Sequence, residues 1–398
     1  MQAPERFSDL PEYAFPRLRR LLDGVPAGGE EVAMSLGEPR HPLPPFLAEE
    51  LARHTHLYGK YPPNEGAPDL RAAIAEWMGR RYGASLDPDA HVFPLNGTRE
   101  GLFAACVALS PERKNGKPPV VLLPNPFYQC YAVAAITAGA EPVYVNATAE
   151  SGYLPDFASL PRDILDRTTV AYICSPANPQ GAVADLGYWT RLLALAEAHD
   201  FRVFADECYA EIYRGSPPPG VTQAIAPAAA DPERVLAFHS LSKRSNLPGL
   251  RSGFVAGGET AIKAMRQLRS YAGAPMPLPA QLAAAAVWRE ESHVEANRAL
   301  YAEKYAMADD ILGNMPGYMS PEAGFFLWLK VEDGEEACVR LWRETGVKTL
   351  PGAYLSRPAP PELGGGDPGK TYLRAALVDE APKVRRGLEA IRDVIGGR

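Results

Sequence analysis

Residues able to do chemistry gather at the ends of three short apolar runs. Val170–Cys174 leads into Ser175-Pro176-Ala177-Asn178-Pro179-Gln180-Gly181, Arg202–Ala205 into Asp206-Glu207-Cys208-Tyr209, and Val235–Phe238 into Ser240-Leu241-Ser242-Lys243. Lys243 is followed by Arg244 and Arg251. Cations around a lysine depress its pKa, which is what an imine-forming amine needs. Asp206, if buried, is a carboxylate able to keep a pyridine nitrogen protonated and make the ring an electron sink. Asn96-Gly97-Thr98-Arg99-Glu100-Gly101 opens a helical stretch with small residues. Such a start offers free backbone N–H groups to a phosphate, and Arg251 could add charge. Each feature also has a plainer account. Lys243 could be a solvated surface lysine, Asp206 a helix N-cap, and the glycine-rich start an ordinary capped helix. Three complementary clusters at three strand ends favour the joint reading.

Groups held this way need strands that end side by side. From about residue 46 to residue 290, helical periods alternate with short apolar runs, the pattern of an α/β layered fold. The strand candidates are Val120–Leu123, Pro142–Val145, Val170–Cys174, Arg202–Ala205, Val235–Phe238 and Gly253–Ala256. Short, Val-rich runs bounded by Pro, Gly or Asp read as buried parallel strands, and open α/β sheets bind ligands at the carboxyl ends of such strands. Glu100–Leu109 and Tyr188–His199 carry apolar residues every three to four positions and are expected as helices. Beyond about Ala283 the character changes. An amphipathic stretch, Ala283–Met315, precedes a hydrophobic segment, Gly324–Val331, then a helix, a loop and a strand. The expected division is an N-terminal arm and part of a small domain over 1–45, a large domain over 46–288, and a small α+β domain over 289–398. A chain of 398 residues suits that arrangement.

Composition excludes several classes. Net charge is −7 with acids and bases mixed along the chain, so no basic face for nucleic acid is expected. No stretch approaches the ~20 apolar residues of a membrane span, and the start does not resemble a signal peptide, so the cytoplasm is the expected location. The five cysteines stand singly, against a disulfide framework and against a zinc site, and no metal is expected. Gly364-Gly365-Gly366-Asp367-Pro368-Gly369-Lys370-Thr371 fits the spacing of a phosphate-binding P-loop. That motif needs a buried strand before it and a helix after it, whereas here a proline-rich segment precedes and Tyr372-Leu373-Arg374 reads as a strand. A surface loop is expected.

In order and spacing, these motifs resemble those of fold-type I pyridoxal-phosphate aminotransferases, class I/II, over nearly the whole chain. Ser240-Leu241-Ser242-Lys243 with Pro248-Gly249-Leu250-Arg251-Ser252-Gly253-Phe254 is similar to the family's lysine signature. The resemblance implies a mostly parallel central sheet sandwiched by helices plus a smaller α+β domain, with pyridoxal 5'-phosphate on Lys243. It implies Ser240, Arg251, Gly97, Thr98 and Arg99 at the phosphate, although Arg99 is more basic than many relatives show. It implies Asp206 at the pyridine nitrogen, Tyr209 and Asn178 at the ring oxygen, and Tyr128 stacked on the ring. Lys243, Asp206 and Tyr209 are thereby the expected catalytic residues. For the substrate it implies Arg374 and Asn178 at the α-carboxylate, with Gly37 beside it. Tyr61 resembles a tyrosine that reaches the phosphate of a neighbouring subunit, so a homodimer with shared sites is expected. The stretches Ser242–Phe254 and Asn125–Gln129 are most similar to bacterial N-succinyl-L,L-diaminopimelate aminotransferases. That similarity implies transfer between N-succinyl-L,L-diaminopimelate and 2-oxoglutarate in lysine biosynthesis. An aspartate-type or L,L-diaminopimelate aminotransferase is the alternative, and a carbon–sulfur β-lyase a further one. Arg40 and Arg244 are candidate partners for a distal substrate carboxylate.

Overall fold

Six of the apolar runs become strands at the expected positions in the computed structural model, which describes residues 4–396. Residues 1–3 and 397–398, parts of the segments expected at the two ends, lie outside it. In chain order the strands are β1 (Val32–Ala33), β2 (Val92–Leu95), β3 (Val120–Asn125), β4 (Glu141–Asn146), β5 (Thr168–Cys174), β6 (Arg202–Asp206), β7 (Val235–Ser240), β8 (Gly253–Gly257), β9 (Phe326–Lys330), β10 (Val347–Lys348), β11 (Leu350–Pro351) and β12 (Tyr372–Ala376). Seven of them form the central sheet in the order β2-β8-β7-β6-β5-β3-β4. Its neighbours pair in parallel except that β8 runs antiparallel to both β2 and β7.

Alternation along each strand sends side chains to two covered faces. Val121 and Leu123 pack with Leu102, Ala105 and Cys106 of helix Thr98–Leu109 on one face. Val120 and Leu122 pack with Trp189, Leu192 and Leu193 of helix Leu186–His199 on the other. Burying each such aliphatic side chain contributes roughly 1.5–3 kcal/mol, and burial on both faces is what makes these strands continuously apolar. Helices Pro68–Tyr82 and Leu278–Arg289 enclose a third cluster around Trp77, Phe254 and Trp288.

A fourth apolar cluster joins the chain's two ends. Ala14, Leu18, Val32 and Met34 pack with Tyr301, Phe325, Leu341, Leu373 and Leu388. Here the sheet β11-β12-β9 is antiparallel, and β1 pairs in parallel with β10. The amphipathic stretch after Ala283 is two helices, Leu278–Arg289 and Ser292–Leu312, broken at Glu290 and Glu291. Gly364–Thr371 is a loop and turn leading into β12, without the strand before it or the helix after it that a P-loop requires. Among the described residues, no helix is long and apolar enough to cross a membrane and no metal-binding cluster occurs.

Candidate active site

Parallel neighbours β5, β6 and β7 end together, so the three polar clusters meet at one edge of the sheet. They border a cavity of about 330 Å³. Thr98, Arg99, Tyr128, Asn178, Asp206 and Tyr209 line it, and so do Ser240, Lys243 and Arg251. Gly37 and Arg374 enter from the side of the fourth apolar cluster.

Asp206 is the last residue of β6 and is 6% exposed. Its Oδ2 accepts a 2.6 Å hydrogen bond from the Tyr131 hydroxyl, and its Oδ1 accepts from the Cys208 N–H at 3.3 Å. Burial pushes its pKa up against these donors, because no lysine or arginine among the described residues neutralises the carboxylate. A protonated pyridine nitrogen would supply the cation this carboxylate lacks. The lysine sits just beyond β7, where Ser240 caps the short helix Leu241–Arg244 and accepts from the Ser242 N–H at 3.1 Å. The Lys243 amine donates to the Gly37 carbonyl oxygen and lies 5.2 Å from the Phe325 ring centre. Burial lowers its pKa to about 8, and the charges of Arg374 and Arg251 act in the same direction. Desolvation leads that shift.

At the phosphate end, Gly97 has φ +79° and precedes helix Thr98–Leu109. The Arg251 guanidinium bonds the carbonyls of Pro248 (2.7 Å) and Asn96 (3.1 Å). A methyl group on Gly97 would overlap that guanidinium. Helix N–H groups, Arg251, Ser240 and Ser242 make an anion site, so the donor set fits pyridoxal phosphate. Gly97→Ala is expected to weaken cofactor affinity about tenfold, since left-handed backbone and overlap cost ~1–3 kcal/mol. Titration of the cofactor-free protein with pyridoxal phosphate, followed by fluorescence, measures this. Unchanged affinity would mean that Arg251 does not need its present seat.

At the substrate end, Arg374 projects from β12 and is 4% exposed. It donates to Asn178 Oδ1 (3.0 Å) and the Ser35 carbonyl (2.8 Å), lies 4.2 Å from the Phe326 ring centre, and leaves Nε without a partner among the described residues. Burial lowers its pKa to about 10, and no carboxylate among the described residues stands against it. A buried, planar, acid-free fork is a receptor for a carboxylate. Tyr209 is 8% exposed, and desolvation holds its phenol well above the usual range.

Tyr61, Arg99, Arg244 and Arg40 have distinct surroundings. Tyr61 is fully exposed and does not line the cavity of its own chain. Arg99 donates from Nε to the Tyr128 hydroxyl. Arg244, expected to act on Lys243 or on a distal carboxylate, is 2% exposed between Trp77 and Trp288 and pairs with Glu291 at 2.8 Å. Arg40 is held by Asp379 at 2.6 Å. Neither lines the cavity. The sequence patterns do not single out Tyr131, although a tyrosine in the alanine-rich helix Gln129–Thr137 signals a hydroxyl that needs a partner. Its ring stacks on Tyr172, with centroids 4.4 Å apart.

The chain is similar to known proteins over nearly its whole length. Residues 30–380 match the profile of the family described as aminotransferase class I and II. An LL-diaminopimelate aminotransferase from Dehalococcoides mccartyi is 32% identical, over 98% of this chain and 97% of its own. One from Moorella thermoacetica is 30% identical over 100% and 99%. The crystal structure of an aminotransferase from Neisseria meningitidis superposes with a TM-score of 0.92 and 37% identity, covering 98% and 99% of the two chains.

Proposed function

The chain belongs to the class I and II aminotransferases, fold-type I enzymes that use pyridoxal 5'-phosphate, and from that premise we propose that it transfers an amino group from L,L-diaminopimelate to a 2-oxo acid such as 2-oxoglutarate. Full-length similarity to relatives bearing that substrate's name carries the choice of donor. The N-succinyl form takes second place. The stretches that favour it, around Lys243, Arg251 and Tyr128, lie at the cofactor end of the cavity and report on the substrate only indirectly.

In this reading Arg374 and Asn178 bind the substrate α-carboxylate, with Gly37 alongside, and fix the Cα hydrogen towards Lys243. The bound cofactor supplies the electron sink for charge developing at Cα. Lys243, partly neutral near pH 8, holds the cofactor at rest and moves the Cα proton once freed. Asp206 keeps the pyridine nitrogen charged, and Tyr209 and Asn178 donate to the ring oxygen. Gly97, Thr98, Arg99, Ser240 and Arg251 anchor the phosphate, while Tyr128 covers the ring. Full exposure of Tyr61 supports a homodimer in which it reaches the partner's phosphate site. Five free cysteines accord with a cytoplasmic location. The separate apolar clusters support a large domain over 46–288 and a small one built from the two ends.

Adding L,L-diaminopimelate to the holoprotein is expected to convert the cofactor's visible absorbance to that of its amine form. Conversion by the N-succinyl derivative or by aspartate, with none by the free diamine, overturns the donor assignment. Release of pyruvate and ammonia from cystathionine would instead indicate the lyase.

A further inference from the structure

The backbone from Ser35 to Pro42 crosses the substrate end of the cavity. It bears on both key cations through carbonyl groups, Ser35 accepting from Arg374 and Gly37 from Lys243. Gly37 also lies so close to Phe326 that a methyl group there would overlap the ring. At its N-terminal end this strap is fastened by backbone. Met34 N–H donates to the Lys348 carbonyl at 2.9 Å, and Ala376 N–H donates to the Met34 carbonyl at 2.7 Å.

The other end is fastened by side chains from distant parts of the sequence. Lys304 Nζ lies 2.6 Å from His41 Nε2, and His41 Nδ1 lies 2.7 Å from Asn297 Oδ1. The same oxygen accepts from Asn246 Nδ2 at 3.1 Å, and that amide also donates to the Pro42 carbonyl at 3.2 Å. Lys304, Asn297 and Asn246 are 3–4% exposed. An ammonium can only donate, so Nε2 accepts and Nδ1–H must donate to Asn297, a single consistent direction for the whole chain of bonds. Burial pushes His41 down to about 4, which keeps its imidazole neutral and able to accept at neutral pH. Next to it, Arg40 binds Asp379. The aminotransfer chemistry already described uses none of these groups.

We propose that the Lys304–His41–Asn297–Asn246 chain sets the position of the Ser35–Pro42 strap, making His41 and Lys304 positioning residues for substrate carboxylate binding at Arg374. Asn246 stands three residues beyond Lys243, and Asn297 and Lys304 stand on helix Ser292–Leu312. The chain therefore ties the strap both to the lysine's own loop and to a helix that packs Tyr301 and Tyr305 into the fourth apolar cluster. Displacement of the strap moves the Ser35 carbonyl that holds the Arg374 fork, and a misplaced fork loses its two-point fit to a carboxylate.

The test uses holoenzyme of Lys304→Met and of the double variant His41→Phe/Lys304→Met, with L-glutamate as donor in the half-reaction. Both variants are expected to raise the half-saturating concentration about 10- to 100-fold. The limiting rate and the cofactor's absorbance should stay near those of the parent, the pattern of lost binding rather than lost chemistry. Hydrogen exchange should quicken in peptides covering Ser35–Pro42 and stay unchanged in β12. The double variant removes the buried donor and acceptor together, so its melting temperature should recover towards the parent's while the half-saturation stays raised. Parental half-saturation and strap exchange in either folded variant would overturn the proposal. So would a half-saturation that recovers along with stability in the double variant, because the role would then be structural only.

Discussion

Replacing Lys243 with alanine is expected to slow the half-reaction by at least about 10⁴-fold, the upper end of what a positioned general base supplies. The variant loses the covalent hold on the cofactor as well as the group that moves the Cα proton. Ser240, Arg251 and Asp206 remain, so the protein should still bind pyridoxal phosphate, without the covalent attachment. Stopped-flow absorbance with saturating donor measures the rate, and a loss of less than about tenfold would assign the proton transfer to another residue. The same lysine leaves a mark on stability. Its folded pKa of about 8 lies below the ordinary 10.5. Between those values the unfolded chain binds more protons than the folded one, so the stability of the cofactor-free protein rises with pH in that window. Below pH 8 the full penalty of the buried ammonium is present. Cofactor-free Lys243→Met should therefore melt higher than the parent at pH 7, with the advantage fading towards pH 10.5.

Asp206→Asn is the second large effect. Asparagine keeps the shape and the hydrogen bond from Tyr131, and removes the charge alone. Breaking one side of a buried ion pair costs ~3–5 kcal/mol, so the half-reaction should slow by about 10²- to 10⁴-fold. Pyridoxal phosphate affinity should fall as well, because the protonated ring loses its counter-ion. A rate for Asp206→Asn within about fivefold of the parent's would mean that the buried carboxylate serves packing, not electronics.

Much of this site could be read from order along the chain, because a parallel sheet converts sequence order into spatial neighbourhood at strand ends. Val170–Cys174, Arg202–Ala205 and Val235–Phe238 each run into a polar cluster, and β5, β6 and β7 are adjacent. Lys243, Asp206 and Asn178 therefore come together from position alone. Strand β2 escapes the sequence patterns because Pro94 breaks the usual strand signal; it is tolerated at an edge, where β2 lies. The fates of the arginines are illegible for a different reason. Arg244 and Lys243 are adjacent in sequence, yet one turns into the Trp77–Trp288 cluster and the other into the cavity. Periodicity records which side chains are apolar, not where a long cation finds its carboxylate. Arg40 meets Asp379 and His41 meets Lys304 across most of the chain, and no local pattern marks either pair.

In the proposed mechanism one amine, that of Lys243, carries the cofactor beside Asp206 and Arg251. Reduction of the holoprotein with borohydride, proteolysis and peptide mass spectrometry tests it most directly. The expected result is a single pyridoxyl mass on the peptide containing Ser240–Lys243, absent from the Lys243→Ala protein. A pyridoxyl group on any other lysine, or the same yield of labelled peptide after Lys243→Ala, would contradict it.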